Sequence, residues 1–214
     1  MVLAYDILMY TSALSYIIPL YLLINDKTLS IILKVLSLFL VLSLATEFVS
    51  FYAINIQHKD NKWVLHIYTL ICQFNLSLFY WFLIQNRVIR IFILAFNCLF
   101  LLFFIYNIQF ITDNLMRAQL AYLLSSMFLI CISSFYFYKV YTEMKITNLF
   151  QDGLFWINSA FLIYFSSTFY VSLFEEYIRS EDLNLLYYTW PIQLVSTIIF
   201  NVILSRGIWL MRKQ

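Results

Sequence analysis

Seven long apolar stretches follow one another along this chain, with short polar segments between them. They cover residues 3–24, 30–56, 63–84, 88–111, 118–141, 154–174 and 185–211. Each has about 20 residues or more. At a rise of ~1.5 Å per residue, a helix of that length crosses the ~30 Å hydrocarbon layer of a bilayer. The breaks are polar, as in Asn25-Asp26-Lys27-Thr28 and Gln85-Asn86-Arg87. The pattern predicts one domain over residues 1–214, an all-α polytopic membrane protein with seven transmembrane helices and no extramembrane domain.

Within this apolar background one polar pattern occurs twice. Tyr68-Thr69-Leu70-Ile71-Cys72-Gln73-Phe74-Asn75-Leu76-Ser77 returns without a gap as Tyr188-Thr189-Trp190-Pro191-Ile192-Gln193-Leu194-Val195-Ser196-Thr197. Thr69, Gln73 and Ser77 are spaced four apart, as are Thr189, Gln193 and Thr197. In a helix each trio lies on one face. The third and seventh predicted helices therefore each carry a polar seam. Such a seam either joins helices by hydrogen bonds or lines a pocket. Pro191 lacks the N–H for a backbone bond one turn earlier and can kink the seventh helix beside its seam.

Composition supports the membrane class. Hydrophobic residues make up 64% of the chain and charged residues only 11%, against about 25% charged in ordinary soluble domains. Two glycines and two prolines are too few to supply the turns of a β-rich fold. The net charge of +2 offers no basic surface for nucleic acid. Most of the thirteen Lys and Arg residues fall on one side of the predicted membrane, among them Lys34, Arg87, Arg90, Lys139, Arg206 and Arg212. Lys59, Lys62, Arg117 and Arg179 fall on the other. Positive residues stay in the cytoplasm, so the expected orientation is N-terminus outside and C-terminus cytoplasmic. Asp6 stands where a signal peptide would carry a basic leader, and no cleaved leader is expected.

Seams in the third and seventh helices suggest two parallel half-repeats, residues 3–84 and 118–211, with 88–111 as a linker helix. Seven helices, an outside N-terminus and this three-plus-one-plus-three order resemble the layout of the SWEET sugar transporters, the PQ-loop proteins and the KDEL receptors. The resemblance covers the whole chain and implies halves related by an axis along the membrane normal. The sequence departs from it in lacking any Pro-Gln dipeptide: Pro19 lies in the first helix, and the fifth has no proline. A second similarity of layout, to small seven-helix bacterial proteins, implies residence in a bacterial inner (cytoplasmic) membrane.

Ionisable groups inside hydrocarbon are costly and mark functional positions. Glu47 is the clearest, in the second helix, with Ser43, Thr46 and Ser50 on its face. His66 opens the third helix at a similar depth. Both are candidates for the outer mouth of a solute pocket lined by Thr69, Gln73, Ser77, Thr189, Gln193, Thr197 and Asn201. Glu47 alternatively bonds hydroxyls between helices. His58 and His66 are the only histidines, too few for the multi-histidine metal site of a membrane hydrolase. Phosphate-loop and HExxH signatures are absent, so no enzyme, cofactor or metal is expected. The reading that follows is a membrane protein binding or transporting a small solute between two three-helix halves. The alternative is a receptor- or sensor-like subunit. The short tail Arg212-Lys213-Gln214 would leave its output to a partner protein.

Overall fold

The computed structural model describes residues 2–24, 29–55, 62–108, 115–143, 148–181 and 183–213, excluding the side chains of 2–6, 54–55, 62, 107–108, 115–119, 175–181 and 183–190. Among these residues the fold is all-helical, without strands. The helices are α1 (Val2–Ser15), α2 (Ile17–Ile24), α3 (Ile31–Asn55), α4 (Lys62–Leu83), α5 (Arg87–Ile108), α6 (Leu115–Glu143), α7 (Gly153–Glu181) and α8 (Leu183–Met211). A single 3-10 turn, Leu149–Gln151, precedes α7.

Among the described residues six segments are long and apolar enough to span a bilayer: Ile7–Ile24, Ile31–Ala53, Arg87–Tyr106, Leu120–Glu143, Gly153–Phe174 and Pro191–Met211. The helix left out is α4. Its 22 residues give it sufficient length, but His66, Thr69, Gln73, Asn75 and Ser77 dilute its apolar character. The first expected helix also differs, being α1 and α2 with a turn at Tyr16 between them. Pro19 is the cause. It has no N–H to offer the Ser15 carbonyl, and its ring crowds that oxygen. Helical bonding resumes with Leu20 N–H donating to Tyr16 O at 3.2 Å. By contrast, α8 continues as helix through Pro191.

Large apolar side chains cover the helix surfaces. Ile24 is 79% exposed and Val88 72%, a surface that suits lipid. Some helix ends carry side-chain caps. Asn86 Oδ1 accepts from Val88 N–H at 2.9 Å and starts α5. Asp152 Oδ1 accepts from Leu154 N–H at 3.0 Å and starts α7. Arg90 Nε donates to the carbonyls of Ile84 at 2.9 Å and Trp81 at 3.2 Å. It thereby satisfies oxygens that the end of α4 leaves without helical partners. Its guanidinium lies 5.4 Å from the Trp81 ring centroid.

The helices form two compact units. One comprises residues 29–125, with α3, α4, α5 and the first part of α6. Its buried apolar residues include Leu36, Leu40, Leu76, Phe79 and Tyr80. The other comprises 1–28 and 126–214, where α8 packs on α7, α1 and α2. Phe161 and Tyr164 of α7 meet Phe200 of α8 at centroid distances of 5.7 and 5.0 Å.

Both glycines of the chain lie at one place, the crossing of α7 and α8. A Cβ on Gly153 would come within 2.6 Å of the Gly207 carbonyl oxygen. A Cβ on Gly207 would come within 2.7 Å of Ile157 Cγ1 and 2.8 Å of the Gly153 oxygen. The two backbones touch because neither residue has a side chain, the small-residue packing familiar from membrane helices.

Gly207→Ala should therefore lower stability by about 1–3 kcal/mol, the usual cost of forcing a methyl into a packed contact. Thermal unfolding in detergent checks this, with exposed Val202→Ala as the control. Burial also holds the Asp152 carboxyl above the usual carboxylate range, against the opposing pull of the Leu154 and Phe155 N–H groups. A raised value means its stabilisation is complete below the ordinary carboxylate range and is lost as pH rises through the raised one. Asp152→Asn keeps the capping oxygen and should flatten that part of the melting-temperature profile between neutral and acid pH. Superimposable profiles would refute the assignment.

Candidate functional site

The helical spacing of α4 places Thr69, Gln73 and Ser77 on one face, as the sequence predicts, and His66 lies at the head of that face. Gln73 is fully buried, and its amide is hydrogen-bonded on every side. Nε2 donates to Ser77 Oγ at 3.1 Å and to Asn97 Oδ1 at 3.4 Å. Oε1 accepts from Ser125 Oγ at 2.7 Å. Ser77 Oγ donates to Asn97 Oδ1 at 3.1 Å, and Asn97 Nδ2 donates to Ile93 O at 2.7 Å. Asn97 belongs to α5 and Ser125 to α6. The centre of the first seam is thus a closed interhelical network joining three helices. Gln73 has no amide hydrogen left for a ligand, since its two donors are both engaged. Thr69 is buried and donates to Leu65 O at 2.8 Å within its own helix.

The N-terminal end of the same face is different. His66 is only 5% exposed, yet neither Nδ1 nor Nε2 has a hydrogen-bond partner. Its ring stacks on Phe104 of α5, with centroids 4.2 Å apart and planes 15° from parallel. A neutral imidazole always presents one donor and one acceptor. Leaving such groups buried and unpaired costs ~1–3 kcal/mol, so this position stands out from its satisfied neighbours. Asn75 Oδ1 and Ser50 Oγ are also buried without partners.

Glu47 lies half-buried on α3. No hydrogen bond or ion pair to its carboxylate occurs among the described residues, and none joins it to His66. The hydroxyls on its face are engaged. Ser43 Oγ donates to Phe39 O and lies 2.8 Å from the Tyr68 hydroxyl of α4, and Thr46 Oγ1 donates to Leu42 O.

The second seam lies in the other unit. Thr189 falls outside the described side chains. Gln193 is half-buried. Thr197 is buried and donates to the Gln193 backbone oxygen at 3.0 Å. Asn201, also buried, donates through Nδ2 to Ser15 Oγ at 2.7 Å and ties α8 to α1, while its Oδ1 has no partner. The two seams match in sequence but differ in bonding: the first crosses to two helices through its glutamine, whereas among the described side chains near the second only Asn201, one turn beyond it, crosses to another helix. Ser125 was not among the residues expected from sequence. Its signal was the Ser125-Ser126 pair within the apolar run of α6.

Comparison with protein-family models, with curated proteins and with solved structures finds no match to this chain.

Asn97→Ala would strand the Gln73 amide and the Ser77 hydroxyl in a dry interior. A loss of about 1–3 kcal/mol is expected, and Gln73→Leu with Asn97→Leu should recover much of it. Unfolding of these two variants beside the unsubstituted protein checks this. An unchanged single variant would show the network to be energetically idle.

Proposed function

We propose that this chain is an integral membrane protein of seven spans that binds a small polar solute within the helix bundle, with His66 as the principal polar contact. The observation that carries the reading is the pair of unpaired ring nitrogens on a buried, stacked histidine. Buried polar groups are almost always paired with protein or ordered water. A group that the protein leaves unserved is suited to a partner that comes and goes. The network of Gln73, Ser77, Asn97 and Ser125 then has a supporting role. It lets α4 cross the bilayer despite its polar residues, by directing their hydrogen bonds to α5 and α6 rather than to lipid.

Asn75 and Glu47 are further polar groups of the same unit with capacity to spare, and they are assigned here to solute binding with His66. On this reading Thr69, Gln73 and Ser77 hold the helix, and the solute contacts lie nearer its N-terminal end. The excess of Lys and Arg near residues 27–34, 87–90, 139–145 and 206–213 supports a cytoplasmic C-terminus.

His66→Phe tests the reading. The new ring retains the stack on Phe104 and removes two unpaired polar atoms, so the empty protein should melt at the same temperature or higher. A panel of monosaccharides, amino acids and short carboxylates is then applied to purified protein. A solute that raises the melting point of the unsubstituted protein should lose most of that effect in His66→Phe. If nothing in the panel stabilises the protein, or if His66→Phe responds equally, the binding role fails. Uptake of the active solute into proteoliposomes then separates a transporter from a receptor-like subunit.

A further inference from the structure

At the C-terminal end of α8 two cations share one aromatic ring. Arg206 Cζ lies 4.6 Å from the Trp209 ring centroid and Lys213 Nζ lies 3.5 Å from it. The geometry follows from helical spacing, since residues 206, 209 and 213 fall on one face. The turn that ends α8 keeps Lys213 in that register, with its N–H donating to Leu210 O at 3.1 Å. Both cations are exposed, and neither has an ion pair among the described residues. Asp152, the acid brought to this end by the Gly153–Met211 contact, is directed to its own helix, where it caps Leu154 N–H.

Two like charges held against one indole repel each other. The ring faces attract each of them, but by about 0.5–1 kcal/mol at an exposed site, and they supply no counter-charge. A compact anion reaching both would offset that repulsion. Trp209 itself is 37% exposed and sits within the last turn of the apolar segment Pro191–Met211. Tryptophan at the end of a span belongs at headgroup level, and there the abundant compact anion is a phosphate ester.

We infer that Arg206, Trp209 and Lys213 form a binding site for the phosphate group of an anionic phospholipid. The acyl chains of that lipid lie along the apolar surface of α8, where Val202 and Ile199 are exposed. The guanidinium offers planar paired donors to the phosphate oxygens and the ammonium a point charge. The indole holds both in place and meets the glycerol region with its edge. This inference rests on the membrane reading above, but not on a solute or on His66.

The test uses the full chain in nanodiscs made from phosphatidylcholine and phosphatidylglycerol in equal parts. Retained lipid is counted by native mass spectrometry after mild delipidation. The unsubstituted protein should hold phosphatidylglycerol in preference. Arg206→Gln and Lys213→Gln should each weaken that preference about fivefold, corresponding to ~1 kcal/mol per cation at an anionic surface. Lys213→Arg should preserve it. A preference unchanged in the Arg206→Gln/Lys213→Gln double variant would overturn the site. Release of the retained lipid by millimolar inorganic phosphate would overturn the lipid assignment in favour of a free phosphate ion. Alkaline carbonate extraction keeps the two readings apart: loss of the protein from the bilayer would refute the membrane reading itself, whereas a fully inserted protein with no lipid preference would refute only this site.

Discussion

A helix surface covered with Ile, Leu, Phe and Val leaves each buried polar side chain only two outlets: another polar group, or an end of the helix where water begins. Most of this structure is organised by that restriction. Backbone groups are satisfied within helices, and the hydroxyls of Ser43, Thr46, Thr69, Thr168, Ser196 and Thr197 turn back onto carbonyls of their own helix. Groups too long or too numerous for that solution cross to a neighbour. Gln73 and Asn97 do so in one unit, and Asn158 in the other, where its Nδ2 donates to Ser133 O at 2.9 Å. Ser50, Asn75, Ser126 and Asn201 each leave one buried oxygen unpaired, whereas His66 leaves both of its ring nitrogens so, and its significance comes from that contrast rather than from its chemistry alone.

Helices were highly legible in the sequence, because an apolar run of fixed minimum length is a physical requirement and not a subtle preference. The observed bounds of α3, α4, α5 and α7 begin within a residue or so of the expected ones. The face shared by Thr69, Gln73 and Ser77 was legible for the same reason, being a matter of periodicity. Less legible was which helix that face would meet. Asn97 could be noted as polar in α5, but nothing in its neighbours announces Gln73 as its partner, and Ser125 looks like any small residue in an apolar run. Pairing of distant segments depends on packing that a single sequence does not encode locally.

The glycines show how the same count can be informative in two ways. Two glycines in 214 residues argue against a turn-rich fold, and that inference holds. Their placement carries a second message. Gly153 stands at the start of one apolar run and Gly207 near the end of another, which is where two antiparallel neighbours would need close approach. The prolines divide similarly. Pro19 splits the first expected helix because helix bonding fails at Ser15, whereas α8 remains a single helix across Pro191.

The contact between Gly153 and Gly207 has a mechanical consequence. Helices that touch through side chains can slide by small rotamer changes, each chain bearing on its neighbours like a roller. Where backbone meets backbone there are no rollers, and any slip would drive a carbonyl oxygen into a main chain. The α7–α8 pair is thereby pinned against sliding at that end.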